Sequence, residues 1–71
     1  MTQTSVRRKR LELGWTLEQL SEQCAAKGAP TAISNLHRIE SGTQVPRPGL
    51  RKALGELLEL DVEVFEQEAA G

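Results

Sequence analysis

Three observations predict an all-α protein built as one small domain. Burial rests on ten leucines, with Trp15 and Phe65 the only aromatics, which suits packed helices better than sheets. Apolar residues recur at steps of three and four, the spacing of one helix face. Glycine or proline interrupts that spacing at Gly14, at Gly28-Ala-Pro30 and at Gly42 to Gly49, where helices stop. With 71 residues, 38% of them hydrophobic, the chain can bury one core of modest stability. It contains no repeat, low-complexity tract or dividing linker. The expectation is five helices in a single domain over residues 1–71, ordered across about 4–67 and frayed over 68–71.

Residues 4–13 read as the first helix. Val6, Arg10 and Leu13 share one face, Arg7 and Arg8 point outward, and Gly14 ends it. Thr16 then starts the second helix: it can cap, Gln19 three residues on completes a capping box, and Trp15 can staple onto Leu20. That helix runs to about Lys27 and buries Leu17, Leu20 and Cys24, with Ala25 alongside. A third helix spans about 31–41, capped by Thr31 and stopped by Gly42. Its apolar seam is Ile33, Leu36 and Ile39, and its other face carries Ser34, Asn35 and Arg38. A loop with two prolines leads to a fourth helix over 48–59, burying Leu50, Leu54, Leu57 and Leu58. Asp61 can cap a short fifth helix, 62–67, that tucks in Val62 and Phe65.

Several function classes lose support at once. No run of eighteen apolar residues exists to span a membrane, and the N-terminus lacks the apolar stretch of a signal peptide. Cys24 is the only cysteine, so no internal disulfide forms; a buried, inert thiol in a reducing cytoplasm fits best. His37 is the only histidine, has no second ligand at metal spacing, and is read as pointing to solvent or the helix flank. There is no Gly-rich phosphate loop and no Ser/His/Asp arrangement, so neither an enzyme nor a cofactor is expected. The net charge of −1 averages two unlike ends. Residues 1–52 hold all nine Lys and Arg against four acids, whereas residues 53–71 hold six acids and no base. Such a molecule can approach phosphate through one side and keep the other away.

Leu17-x-x-Leu20-Ser21 with Cys24, then Leu36-His-Arg-Ile39-Glu40-Ser-Gly42, then a Pro-rich loop and a Leu-rich helix, resemble the phage-repressor/Cro type of helix-turn-helix domain, also called the XRE family. Val6-Arg-Arg-Lys-Arg10-Leu-Glu-Leu13-Gly14-Trp-Thr16 is similar to the first helix of lambdoid repressors. The likeness covers about residues 5–66. It implies a compact five-helix, lambda-repressor-like fold whose helices 2 and 3 form the helix-turn-helix. Helix 3 then lies in the major groove of double-stranded DNA, usually in a two-fold homodimer. The function implied is a sequence-specific transcriptional regulator, most commonly a repressor, cytoplasmic and nucleoid-associated when bound. One departure stands out: Ala26-Lys-Gly-Ala-Pro30 replaces a shorter linker, which predicts a longer helix 2 or an open loop.

Ser34, Asn35 and Arg38 are the candidates for base readout, since Asn pairs bidentately with adenine and Arg with guanine. The plainer reading of the same residues is a solvated helix face. Ile33 is read first as core, with contact to a thymine methyl as the alternative. Thr31 and Ala32 begin the helix, where amides attract phosphate. By the resemblance, Thr16 and Leu17 form a second phosphate clamp through first-turn amides, Thr16 capping its helix and still offering its N–H. Ser41, Thr43 and Arg47 match the loop that follows the DNA backbone, and Arg7, Arg8 and Lys9 add diffuse attraction. In the family the positions of Arg10 and Glu40 form a buried ion pair, with Arg10 also reaching a phosphate. Leu57, Leu60, Val62 and Val64, with the Pro46–Gly49 loop, are candidates for the dimer surface. A rival reading makes the chain a protein-binding adaptor or antitoxin-like module that works through Glu56, Glu59, Glu63 and Glu66 in the acidic 56–68 segment. A third is that this acidic end only keeps a small dimer soluble.

Overall fold

Threonines start the first two helices, and one kind of backbone turn ends all four. The computed structural model describes residues 4–61 and 63–65. Its helices are α1 (Ser5–Glu12), α2 (Leu17–Ala26), α3 (Ile33–Glu40) and α4 (Pro48–Leu58), and residues 63–65 are again helical. No strand occurs among the described residues. Thr4 caps α1 by accepting from the Arg7 amide. Thr16 caps α2 in a full capping box: its hydroxyl accepts from the Gln19 amide at 3.1 Å, and its own amide donates to Gln19 Oε1 at 2.8 Å.

Each helix closes with the amide that follows a left-handed residue reaching back five residues to a carbonyl in the last turn. These bonds are Trp15 N to Arg10 O, Ala29 N to Cys24 O, Thr43 N to Arg38 O and Leu60 N to Gly55 O, all between 2.9 and 3.1 Å. The turn needs a left-handed residue, and Gly14, Gly28 and Gly42 supply it in the first three. In the fourth the position falls to Glu59, at φ 54 and ψ 48.

Helices α3 and α4 each lie against both α1 and α2. Val6, Leu20, Cys24, Leu36, Ile39, Leu50, Leu54, Leu58 and Phe65 form one core to which every helix contributes. Trp15, Leu17, Leu57, Leu60 and Val64 pack half-buried at its edge.

Several sequence expectations are corrected here. Leu13 is 49% exposed: it is the C-cap residue of α1, still in helical conformation with its amide bonded to the Lys9 carbonyl, but it stands at the end of the helix where the core does not reach it. Ala25 is exposed as well. Helix α3 begins at Ile33, with Ala32 and not Thr31 at its N-cap, and neither residue gives it a side-chain cap. Ile33 itself is 42% exposed, so it is not core; the buried seam is Leu36, Ile39 and Glu40. Of the two expectations for the long turn, the open loop holds: α2 stops at Ala26, one residue short of Lys27, and Gly28 carries the chain away. At the C-terminal end the Val64 amide bonds the Asp61 backbone carbonyl at 3.1 Å. The expectations for Val62, for the rest of the fifth helix and for the 68–71 tail lie outside the described residues. No helix among the described residues is long and apolar enough to cross a membrane.

Candidate functional site

Helix α3 is held from behind by two ties to α1. The Arg10 guanidinium meets the Glu40 carboxylate at both ends, Nε to Oε2 at 2.6 Å and Nη2 to Oε1 at 3.1 Å. Its third nitrogen, Nη1, donates to the Trp15 carbonyl at 2.7 Å, which binds the α1–α2 corner into the same network. Arg10 is 8% exposed and Glu40 5%, so each charge depends on the other for its solvation. The Thr4 hydroxyl donates to the Glu40 carbonyl at 2.7 Å, a tie that sequence reasoning missed because it joins residues 36 apart. Glu40 is the one acid of α3, and this arrangement turns it inward and neutralises it.

The outward side of α3 therefore carries no carboxylate. Its exposed residues are Ile33, Ser34, His37 and Arg38, with Ser41 just beyond. At about 100° per residue these five fall in one arc, and His37 lies inside it. His37, read from the sequence as pointing to solvent or the helix flank, is exposed and belongs to this face, at i+3 from Ser34 and i+4 from Ile33.

Asn35 sits at the flank, half-buried, and its carboxamide is engaged at both ends. Nδ2 donates to Thr31 Oγ1 at 2.9 Å, and Oδ1 accepts from Gln44 Nε2. The Ser21 hydroxyl donates to the Thr31 carbonyl at 2.8 Å, so α2, the 27–32 turn, α3 and the following loop form one connected set. Gln44 is the link to that loop. Thr31, Asn35, Gln44, Arg47 and Leu50 are among the residues lining an open groove of about 530 Å³ beside α3.

The phosphate candidates fare unequally. The Thr16 amide is taken by Gln19, so it is not on offer as expected. Leu17 begins α2, where first-turn amides have no partner within the helix, but the exposed Glu18 stands beside it with the wrong charge for an anion. The Ser41 and Thr43 hydroxyls both fold onto the Arg38 carbonyl, at 2.9 and 3.1 Å, and help to close α3. Arg47 is exposed at the N-cap of α4. Arg10 presents only 10% of its side chain, which leaves it little surface for a phosphate. Burial pushes the Cys24 thiol above its ordinary pKa, so it stays protonated and unreactive. No cluster of metal-ligating side chains occurs among the described residues. Comparison with protein-family models, with curated proteins and with solved structures finds no match.

Proposed function

We propose that this chain is a sequence-specific double-stranded DNA-binding transcriptional regulator with a lambda-repressor-like helix-turn-helix formed by α2 and α3. Its exposed α3 face enters the major groove, and repression follows where the occupied site overlaps that of polymerase. The observation that carries this reading is the acid-free outward face of α3, whose only carboxylate is held inside by Arg10. A duplex presents acceptors, donors and thymine methyls in its major groove between two rows of phosphate. Ser34, His37 and Arg38 complement the first group, and Arg38 and Arg47 suit the second. The ties from Thr4 and Arg10 support the reading too, since a helix that reads bases must be held in one register.

A homodimer is part of the proposal. One copy extends 30 Å at most, while half-sites on one side of a duplex lie about 34 Å apart. Two copies related by a two-fold axis match that spacing. Leu13, Leu57 and Leu58 line a shallow depression of about 140 Å³ rimmed by Lys9, Glu12 and Glu59, an apolar patch with charges of both signs that suits a self-complementary contact.

Gel-shift titration with duplexes selected from a random library tests the reading. Arg38→Ala is expected to weaken specific binding by about 1–3 kcal/mol, roughly 5- to 150-fold. Binding that no sequence improves over competitor DNA, together with an inert Arg38→Ala, would refute it.

A further inference from the structure

We infer that Ile33 and His37 form one specificity strip on α3 that recognises a thymine beside a purine. In that strip Ile33 covers the thymine 5-methyl and the His37 imidazole donates to the purine N7. The inference rests on the DNA-binding reading and goes beyond it by assigning the bases. Ile33 is one of four large hydrophobic side chains left exposed among the described residues, and the only one on α3. It is also the first residue of that helix, the end that enters a groove most deeply in helix-turn-helix docking. An apolar side chain there has one apolar partner in the major groove, the thymine methyl.

His37 stands one turn on, at i+4, so the two side chains are neighbours on the same face. An imidazole carries at least one N–H donor in either charge state, and both purines present N7 as an acceptor in the major groove. Asn35, the residue first assigned to adenine, already has its carboxamide committed to Thr31 and Gln44. That makes it a positioning residue for the turn and the loop, and leaves the purine beside the thymine to His37, the outward side chain next to Ile33.

Atom-deletion duplexes test this. A site selected by the protein itself is remade with uracil for thymine, which removes only the methyl, or with 7-deazapurine, which removes only the N7 acceptor. The wild-type chain is expected to lose about fourfold in affinity for the uracil duplex and about fivefold for the deazapurine duplex. Ile33→Ala should be blind to the first change and His37→Ala to the second. Both side chains are exposed, so unaltered melting temperatures of the variants confirm that folding is intact. A site at which neither analogue lowers affinity, or at which the alanine variants keep the wild-type sensitivity, overturns the inference and leaves DNA binding standing. Selection that enriches no site overturns the DNA-binding reading, and this inference with it.

Discussion

Glu59 holds a backbone conformation that its own side chain opposes. A φ of 54 lies in the left-handed region, where a residue with a Cβ pays about 1–2 kcal/mol. The three sister turns put glycine at that place. Glu59→Gly is therefore expected to stabilise the fold by about 0.5–1 kcal/mol, after the extra freedom glycine gives the unfolded chain is set against the relieved strain. Thermal melts should move up by a few degrees, and an unchanged or lower midpoint would count against the assignment. Cys24 makes a second single-site test. Burial raises its thiol pKa in the folded state, so folding favours the protonated form. Its contribution is whole below the ordinary thiol range and is lost as pH rises through the raised value, beginning above pH ~9. Denaturant titrations from pH 8 to 10 should show wild type losing more stability than Cys24→Val over that interval.

The start of α2 and the stops of α1, α2 and α3 were legible in the sequence because their causes are local, whereas the start of α3, expected at Thr31, was not. Thr16 with Gln19, Gly14, Gly28 and Gly42 act within a few residues of themselves, and each works as its spacing implies. Helix edges were not legible. Leu13 and Ile33 keep the apolar period, yet one is a C-cap and the other a first residue, and both stay exposed, with no helix among the described residues covering them. The Thr31–Asn35–Gln44 set was hidden for another reason: it depends on a loop folding back on α3, which no spacing encodes. Between elements, the Arg10–Glu40 pair fixes α1 to the end of α3. A buried cation at position 10 was readable from its place between apolar neighbours, while its partner came only from the family resemblance. Arg10→Met alone is expected to cost about 3–5 kcal/mol, because Glu40 is left charged and buried. Adding Glu40→Leu should recover much of that loss. Additive losses in chemical denaturation would mean that the two charges do not support each other.

Charge is divided along the chain, with the bases in residues 1–52 and an excess of acids in residues 53–71. A duplex would attract the first and repel the second, which orients an approaching molecule before any contact forms. The all-helical class followed from leucine-rich periodicity and well-placed breakers. The membership of the outward face needed the structure at its edges: Ile33, expected first as core, joins the face, and Asn35 turns aside to Thr31 and Gln44. Amide NMR spectra of the labelled chain, recorded as a selected duplex is added, test that face directly. The shifts are expected to concentrate on Ile33, Ser34, His37 and Arg38, with smaller changes at Arg47. Shifts confined to the acidic segment from Glu56 onward, with α3 unmoved, would contradict the account.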